Sequence, residues 1–381
     1  MATICHVEVG RFDYALVGEF KFFKTAHRPS LLVRLTDEDG VQGWGQAVPV
    51  ETWTYETAET VESTLERYLA PALLGADPAD MPEVHARMER AIRPSFSVGQ
   101  PLAKSAIDLA CYDLRGKQAG RSACELIGTR KTESVKLSWT INAATLGAAE
   151  KQLEQGRAAG YASFNVKIGP PQTVQFDREL LRTVREAAPR GFHWADANTN
   201  YDLATASAMA RQLADLGFKA LESPLPPNRI RDYQALRRQR VLPILMDEGI
   251  VSPVEAEEFA ALGMLDGIAM KVARCGGLWH AARIIDVLQE RNLLVFASGL
   301  TDPDLSLAAS VHLFASAGLA LPAALNGPQY LAGRGTTDPR FRAERDSIRV
   351  PAGPGLGIEL DERAARALRT VAASSARDGL T

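Results

Sequence analysis

The pattern of apolar and polar positions changes near residue 130 of this chain of 381 residues. Before that point, three stretches are predicted to be strands, ICHVEVGRF, SLLVRLTDEDG and VQGWGQAVPV, and the Asp39-Gly40 pair predicts a hairpin turn between the last two. Stretches with helical spacing of apolar residues follow, and the last of them stops at Gly120. Strands followed by helices indicate an α+β domain.

After about residue 134, short apolar strands alternate with helical stretches in units of roughly 25 residues. The predicted strands are VKLSWTI, SFNVKIG, FHWADAN, FKALESPL, LPILMDE, GIAMKVA, LLVFASG and, with the weakest pattern, PAALNGP. About eight such strand–helix units are typical of a parallel (β/α) barrel of about 200 residues. An open doubly wound sheet is the alternative, but no glycine-rich phosphate loop follows the first strand.

These patterns predict an α/β fold, a TIM-type barrel of seven or eight strand–helix units with an N-terminal α+β capping domain. The predicted boundaries are residues 1–128 for the capping domain, 129–335 for the barrel and 336–381 for a C-terminal segment. The tail DSIRVPAGPGLGIELDERAARALRTV does not follow the barrel rhythm. We therefore expect the C-terminal segment to pack back on the capping domain and complete it.

The composition indicates an ordinary globular protein and gives no sign of a nucleic-acid-binding or membrane protein. Hydrophobic residues make up 46% and charged residues 23% of the chain, an ordinary globular composition, and the net charge of -3 does not indicate a nucleic-acid-binding surface. No apolar segment is long enough to span a bilayer, and Glu8, Arg11 and Asp13 interrupt the apolar run that a signal peptide needs. Scattered cysteines without a CxxC pair indicate reduced thiols, so we predict a cytoplasmic protein.

Active sites of such barrels lie at the carboxyl ends of the strands, so the residues at those ends are the candidates. The second to sixth strands end in charged or amide side chains: Lys167 on the second, Asp196 and Asn198 on the third, Glu222 on the fourth, Asp247 and Glu248 on the fifth, and Lys271 on the sixth. Three consecutive strands therefore end in a carboxylate. Because these strands are neighbours in a barrel, we expect the carboxylates to converge at the rim.

Converging carboxylates repel one another unless a cation lies between them. Carboxylate oxygens are hard ligands, so we predict a site for Mg²⁺, with Mn²⁺ as the alternative ion. A single acid at a strand end is often a helix N-cap, but three on successive strands fit that explanation poorly. Asp247 and Glu248 compete for the third ligand position, and strand alternation does not choose between them. Lys167 and Lys271 flank this acidic arc, on the strands before and after it.

At these residues the chain resembles the enolase superfamily, in the branch of muconate-lactonising enzymes and their dipeptide-epimerase relatives. The matching pieces are VKIG with Lys167, DAN with Asp196, LESPL with Glu222, MDE with Asp247 and KVARCGG with Lys271. The resemblance covers nearly the whole chain and implies that Asp196, Glu222 and Asp247 are the metal ligands. It thus favours Asp247 over Glu248. The mandelate-racemase branch is less similar, because it uses a histidine base and no histidine here lies at a late strand end.

The resemblance also implies the chemistry. Lys167 is then a general base or acid aimed at the α-carbon of a carboxylate substrate, Lys271 serves the opposite face, and Mg²⁺ stabilises the ene-diolate. Two opposed lysines permit racemisation or epimerisation, which we predict for an amino acid or a derivative of proline, N-acyl or dipeptide type. If one lysine instead assists a leaving group, the enzyme is a dehydratase, for example of a hydroxyproline, or a cycloisomerase.

One position departs from the family pattern. Relatives often carry Lys-x-Lys on the second strand, and here the first of these positions is Asn165. An amide can hydrogen-bond a carboxylate oxygen but adds no charge, and it removes a neighbouring cation that would favour the neutral amine of Lys167. We therefore expect burial and the metal ion to keep Lys167 neutral when it acts as a base.

Two loops of the capping domain, residues 17–28 and 48–56, are expected to close the site. Their aromatic residues and the polar groups at strand ends form the predicted substrate-binding set: Phe20, Trp53, Tyr55, Asn165, Asn198, Glu248, Ser298 and Asp302. The aromatic residues could equally pack the cap against the barrel. The expected partners are a small-molecule carboxylate and further copies of the chain in a homo-oligomer, with no nucleic acid and no membrane.

Two hypotheses of other classes stand beside this one. In a Schiff-base aldolase, Lys167 or Lys271 would attack a carbonyl carbon, but this hypothesis leaves the three carboxylates without a role. A non-catalytic binding protein could keep the same scaffold, but it would not need an intact set of acids and lysines.

Overall fold

The computed structural model describes residues 2–18, 20, 22–23, 25–95, 97–332, 336 and 341–374. The cap begins with β1 (Ile4–Arg11), β2 (Tyr14–Leu16), β3 (His27–Arg28), β4 (Leu31–Asp37) and β5 (Gln42–Ala47). Its helices are α1 (Ala58–Thr64), α2 (Ala70–Leu73), α3 (Met81–Ala91), α4 (Pro101–Ala119) and α5 (Ala123–Ile127), with a π-helical turn, Leu65–Leu69, between α1 and α2. The predicted hairpin turn joins β4 to β5, and Gly40 in this turn has a φ of 80°.

The chain then alternates between strands and helices. The strands are β6 (Ser134–Lys136), β7 (Trp139–Ile141), β8 (Phe164–Lys167), β9 (His193–Asp196), β10 (Leu221–Glu222), β11 (Ile244–Met246), β12 (Gly267–Lys271) and β13 (Leu294–Ser298). The helices are α6 (Leu146–Ala158), α7 (Val174–Ala187), α8 (Leu203–Asp215), α9 (Ile230–Arg238), α10 (Pro253–Ala261), α11 (Leu278–Glu290) and α12 (Asp304–Ala317). Strands β7 to β13 form one parallel sheet in chain order. Across the described ranges, no helix has the length and apolar character needed to cross a membrane.

The last predicted strand closes the barrel through single bridges. Ala323 bridges to Leu137 beside β7, and Ala324 bridges to Ser298 at the end of β13, both in parallel orientation. The backbone N–H of Ala324 also donates to the carbonyl oxygen of Ala297 at 2.8 Å. The prediction of a TIM-type barrel with an N-terminal cap is therefore confirmed.

The inside of the barrel is filled by side chains. Inward-facing residues form an apolar cluster of their own: Trp194, Ala220, Leu245, Phe296 and Ala324. The rings of Trp194 and Phe296 meet edge to face, with centroids 5.5 Å apart. This layer is a floor below the strand ends, so a ligand is held above it, at the carboxyl rim.

The C-terminal region divides between the cap and the barrel. Its elements are α13 (Gly327–Tyr330), β14 (Leu331–Ala332), β15 (Ala343–Glu344), β16 (Ser347–Arg349), α14 (Glu362–Arg366) and β17 (Arg369–Ala373). Strand β17 pairs antiparallel with β1 and extends the cap sheet, whereas β15 and β16 form a small sheet with β6. The predicted first barrel strand is thus split, because β6 leaves the barrel sheet. Residues 337–340 and 375–381 of the predicted segment lie outside the described residues, and the domain boundaries remain predictions.

Buried contacts hold the cap on the barrel. Asp108 in α4 accepts a hydrogen bond from the backbone N–H of Leu278 at 2.6 Å. A carboxylate of the cap thus provides an acceptor for a backbone N–H group in the first turn of α11, which has no partner within the helix. His85 Nε2 lies 2.8 Å from the same carboxylate. Strand β5 lies directly against α4, because a Cβ at Gly45 would come within 1.9 Å of the Ala106 carbonyl oxygen. The cap therefore supports the helix that follows β12, the strand carrying one of the candidate lysines.

Candidate active site

Strand register places three of the predicted residues side by side. Lys167 on β8 is in register with Asp196 on β9, which is in register with Glu222 on β10. Residues in register on neighbouring parallel strands point to the same face of the sheet, here the inside of the barrel. All three side chains are buried, and Lys167 Nζ donates a short hydrogen bond to Asp196 Oδ2.

Lys271 completes the group from the other side. Its Nζ donates to Asp247 Oδ2 at 2.6 Å and to Ser298 Oγ at 3.0 Å, and it lies 3.6 Å from Glu222 Oε1. A fully buried ammonium is costly without such partners. The two lysines therefore lie at the two ends of one acidic arc, with Lys167 bonded to the first acid and Lys271 to the last.

The two adjacent acids after β11 have different environments. Asp247 is buried and faces Lys271, whereas Glu248 lies at the rim. Glu248 Oε1 accepts hydrogen bonds from Asn198 Nδ2 at 3.0 Å and from Trp53 Nε1 at 3.3 Å. Asp247 is thus the acid on the inner face, and Glu248 connects the barrel to the cap.

The crowding of charges changes the proton affinity of these groups. Burial and the nearby Asp196 carboxylate raise the pKa of Glu222 to about 8, although Lys271 and Lys167 act in the opposite direction. Burial also raises the pKa of Asp247. Burial by itself would lower the pKa of Lys271, but the Asp247 and Glu222 carboxylates outweigh it and the pKa is raised. An added cation would stabilise the ionised acids and would favour the neutral amine of Lys271.

The three acids have the donor chemistry of a site for Mg²⁺ or Mn²⁺, since all are carboxylates on one inner face. Within the described residues, no group of three acidic, histidine or cysteine side chains already surrounds one metal position, and the outer two acids pair with lysines. Glu222, the middle acid, lies 3.6 Å from Lys271 Nζ through its Oε1, and its Oε2 accepts a hydrogen bond from Trp194 Nε1 at 2.7 Å. Within the described ranges, its buried Oε1 accepts no hydrogen bond, and neither does Asp247 Oδ1. A carboxylate oxygen in the centre of the arc is therefore available as a ligand, and the residues fit a divalent cation.

Trp53, from the second cap loop, covers both lysines. Its ring centroid lies 5.7 Å from Lys167 Nζ and 5.5 Å from Lys271 Nζ, distances at which a ring face attracts a cation. The ring is held in place by stacking on Phe22, with centroids 4.3 Å apart and planes 5° apart. A substrate held between the two lysines would therefore contact this ring.

The other predicted substrate-binding residues are not all at the site. Phe20 is buried in the aromatic cluster around Trp53, and Asn165 is buried on the inner face of β8. Asp302 is buried beyond the end of β13, and burial raises the pKa of its carboxyl group. Tyr55, by contrast, is 61% exposed and lies outside the buried group. The roles of these residues in substrate binding remain predictions.

Two buried arginines of the site were not among the predicted residues. Arg274 Nε lies 3.2 Å from Asp247 Oδ1, and its Nη1 donates to the Trp53 carbonyl oxygen at 3.3 Å. The positive charge of Arg274 therefore partly neutralises Asp247, and its hydrogen bond holds the backbone of Trp53. The signal in the sequence is its position in KVARCGG, three residues after Lys271 and just beyond the strand end.

The second arginine, Arg28, joins the cap loops to the barrel. Its fully buried guanidinium donates to the carbonyl oxygens of Val48 at 2.6 Å, Pro49 at 2.7 Å and Leu300 at 2.9 Å. Burial lowers its pKa to about 10. These bonds connect the end of β3, the start of the second cap loop and the segment after β13. No motif in the sequence marks this role, because all the acceptors are backbone atoms.

Glu56 anchors the other end of the loop that carries Trp53. Its buried carboxylate accepts hydrogen bonds from the backbone N–H groups of Leu102 at 2.7 Å and Ala103 at 3.1 Å, in the first turn of α4. Burial nevertheless raises the pKa of Glu56 to about 7, because these bonds only partly offset the loss of hydration. The second cap loop is thus held by Arg28 at its start and by Glu56 at its end.

We expect Glu56→Gln to change how stability depends on pH. The folded pKa of about 7 lies above the ordinary value of 4.5, so the native state binds more protons than the unfolded chain in this interval. The contribution of Glu56 to the free energy of unfolding is then lost as the pH rises through the interval. The free energy of unfolding is measured by urea unfolding at about pH 5 and at about pH 8. Between these pH values it should fall by on the order of 3 kcal/mol more in the wild type than in Glu56→Gln. The exposed Glu150→Gln variant is the control, and equal losses in Glu56→Gln and wild type would refute the expectation.

A cavity of about 780 Å³ opens beside Lys167. It lies between the first cap loop and the segments that follow β7 and β8. Its described walls are mixed: apolar residues such as Leu16, Phe20 and Ile168 line it together with polar residues such as Asn142 and Gln152. This volume is in the range of small-molecule sites. The site therefore has room for a substrate group that extends away from the lysines.

Comparison with known protein families covers both parts of the fold. The family model described as enolase C-terminal domain-like matches residues 148–364. The model of the mandelate racemase / muconate lactonizing enzyme N-terminal domain matches residues 21–128. The first match contains all the acids and lysines of the arc, and the second contains residues 21–28 of the first cap loop and the whole second cap loop.

Individual relatives match over most of the chain. An o-succinylbenzoate synthase from Geobacillus kaustophilus is 33% identical over 339 residues, which are 87% of this chain and 86% of the relative. A chloromuconate cycloisomerase from Cupriavidus necator is 29% identical over 346 residues, 89% of this chain and 91% of the relative. The crystal structure of an N-succinyl Arg/Lys racemase from Bacillus cereus has a TM-score of 0.88 at 26% identity, and the match covers 96% of this chain and 97% of that one. These matches confirm the resemblance predicted from the strand ends: the chain is an enzyme of the enolase superfamily and belongs to its mandelate racemase / muconate lactonizing enzyme family.

Proposed function

We propose that the enzyme removes the α-proton of a small carboxylate substrate and returns a proton to the opposite face, as a racemase or epimerase of an amino acid derivative. The observation that supports this function is the pair of buried lysines at the two ends of one carboxylate arc. A substrate lying over the arc and under the Trp53 ring would have Lys167 on one side and Lys271 on the other. Each lysine would act as base toward one stereoisomer and as acid toward the other.

A hydrogen next to a carboxylate is very weakly acidic, because its removal places a second negative charge on the same group. Mg²⁺ or Mn²⁺ held by Asp196, Glu222 and Asp247 would stabilise that charge. The protein groups do the rest. The lysine that acts as base takes the proton at Nζ as a neutral amine, and the other donates from Nζ as an ammonium. Ser298 and the acid after β11 keep Lys271 Nζ at a defined position for this transfer.

Cycloisomerisation and dehydration begin with the same proton abstraction, and the similar relatives include a cycloisomerase and a synthase. The racemase is favoured by the equivalence of the two lysines. Both are buried, both are bonded to a carboxylate of the arc, and both lie at nearly the same distance from Trp53. An enzyme that uses only one base would not need this equivalence.

A Schiff-base aldolase is less well supported. Its lysine would attack a carbonyl carbon, a step that gives the three carboxylates of the arc no role. The partner that this site supports is thus a small-molecule carboxylate. A homo-oligomer and a cytoplasmic location remain predictions.

The proposal is tested by α-hydrogen exchange in deuterated water with Mg²⁺. Amino acids, N-acyl amino acids, dipeptides and proline betaines are incubated with the enzyme, and proton NMR and optical rotation follow exchange and inversion. We expect both for at least one carboxylate substrate, and neither for its α-carboxamide, which lacks the second anionic oxygen. Removal of the metal with EDTA should stop the reaction and added Mg²⁺ should restore it. Exchange that persists without metal, or the absence of exchange for every carboxylate, would rule out the proposed function.

A further inference from the structure

Trp194, in the apolar floor of the barrel, is hydrogen-bonded to the middle acid of the arc. It lies on β9 two residues before Asp196, so strand alternation places both side chains on the inner face. Its indole Nε1 donates to Glu222 Oε2 at 2.7 Å, and its side chain is fully buried. Because Trp194 has no exposed surface, water does not compete for this hydrogen bond, which connects the floor to the cation site above it.

The position of the indole ring is fixed by other aromatic rings. Phe296 meets it edge to face with centroids 5.5 Å apart, and the Phe192 centroid lies 6.0 Å away at an interplanar angle of 63°. A tryptophan N–H can only donate, so in this buried place it needs an acceptor. A glutamate carboxylate can otherwise turn about its last side-chain bond. The rigid donor below Glu222 therefore restrains this rotation and keeps Oε2 directed to the floor.

The other oxygen of Glu222 is left for a ligand. Glu222 Oε1 is buried, accepts no hydrogen bond from the described residues, and lies 3.6 Å from Lys271 Nζ. The neighbouring acids are held in a similar way. Asp196 Oδ1 accepts from the backbone N–H of Asn198 at 2.8 Å, and Asp247 Oδ2 accepts from Lys271 Nζ at 2.6 Å. Each acid of the arc therefore has at least one oxygen bound to a protein donor.

The number of oxygens that each acid offers affects which cation fits. Ca²⁺ takes roughly six to eight oxygen ligands and often uses both oxygens of a carboxylate, whereas Mg²⁺ needs a near-octahedral set of oxygens at shorter distances. We propose that Trp194 is a positioning residue: by holding Oε2 of Glu222, it leaves Oε1 alone for the cation and makes the site prefer Mg²⁺ to Ca²⁺. This inference rests on the cation site of the proposed function, but not on the reaction that follows.

A purely structural role for the indole N–H predicts a different result. If the hydrogen bond only satisfied a buried donor, its loss would lower the stability of the fold and change the affinities for both cations by similar factors. If the bond directs Glu222, its loss frees Oε2 to bind the cation together with Oε1, which helps the larger ion and not the smaller one. The ratio of the two affinities therefore separates the two roles.

The test is calorimetric titration of the enzyme with Mg²⁺ and, separately, with Ca²⁺, both without substrate. The wild type should bind Mg²⁺ about tenfold more tightly than Ca²⁺, or better. Trp194→Phe keeps an aromatic ring in the floor but removes the N–H group. Its Mg²⁺ affinity should fall about tenfold or more, the usual effect of losing an outer hydrogen bond to a metal ligand, and its Ca²⁺ affinity should stay the same or rise.

Two variants are matched controls. Trp139→Phe makes the same substitution on β7, where the ring lies against Gly156 of α6 and the indole N–H has no hydrogen bond in the described ranges. Phe296→Leu loosens the packing of the floor and leaves the N–H group of Trp194 in place. Both should keep the wild-type preference for Mg²⁺. Urea unfolding of all three variants measures how far each is destabilised.

Equal affinities of the wild type for the two cations, or tighter binding of Ca²⁺, would overturn the inference, and this measurement needs no variant. An unchanged preference in Trp194→Phe would do the same, as would an equal loss of preference in Phe296→Leu. None of these results bears on proton abstraction, which is followed separately by α-hydrogen exchange. Conversely, a preference that is lost only in Trp194→Phe, in an enzyme that exchanges no α-hydrogen, would support the role of Trp194 and contradict the proposed function.

Discussion

Alanine at Lys167 should abolish net racemisation in both directions but should leave α-hydrogen exchange of one enantiomer. The reason is the placement of the two lysines at opposite ends of the acidic arc, with Trp53 near both. Each lysine can remove only the proton that faces it. In Lys167→Ala, the enantiomer whose proton faces Lys271 still loses it to Lys271 and regains a deuteron from the same side. Lys271→Ala should exchange the other enantiomer.

The measurement is proton NMR in deuterated water with each enantiomer separately, for the wild type and both variants. Optical rotation of the same samples measures net inversion. The exposed Lys219→Ala variant is a matched control and should racemise like the wild type. In a dehydratase or a cycloisomerase, one lysine alone abstracts the proton, so the wild type would exchange one enantiomer only. If Lys167→Ala and Lys271→Ala exchange the same enantiomer, the two lysines do not approach from opposite faces.

Glu222→Gln should remove metal-dependent activity and weaken Mg²⁺ binding. This acid lies in the middle of the arc, and its buried Oε1 accepts no hydrogen bond from the described residues. Glutamine keeps the shape and the acceptor for Trp194 but removes the negative charge that attracts the cation. We expect kcat to fall on the order of 10³-fold, the effect of losing one preorganised electrostatic contact or more.

Calorimetric titration with Mg²⁺ gives a readout that does not depend on turnover. Glu248→Gln is the matched control, because this acid lies at the rim and is bonded to Asn198 and Trp53. Its Mg²⁺ affinity should stay close to that of the wild type, whereas that of Glu222→Gln should fall. Alanine at Asp196 or Asp247 should also abolish activity. Unchanged Mg²⁺ affinity in Glu222→Gln would show that the ion is held elsewhere.

The periodicity of the sequence was enough to predict the barrel and the positions of the arc. Alternation of apolar and polar residues in short strands marks which side chain of each strand faces inward, and the period of a strand does not depend on distant contacts. In the structure, four strands end at the predicted residues Lys167, Asp196, Glu222 and Lys271. Because neighbouring strands are parallel, residues at their ends come into register, as Lys167, Asp196 and Glu222 do. The family resemblance rested on these same positions.

Beyond the strand ends, periodicity no longer applies. Strand β11 ends at Met246, so neither Asp247 nor Glu248 has an inward direction that alternation can assign, and packing against Lys271 and Trp53 decides it. The same limit applies to Arg274, which lies in the loop after β12.

The sequence by itself determined the fold class through local spacing, and the motifs at its strand ends carried the resemblance to the family that implied the set of acids and lysines. Only the tertiary structure decided that Trp53 covers both lysines and that Tyr55 is exposed. Strand β6 likewise left the barrel sheet for a pairing with a strand more than 200 residues away in the chain. These features depend on contacts between segments that are distant in sequence. Their geometry is set by how the cap and the closing segment pack on the barrel, which no local pattern encodes.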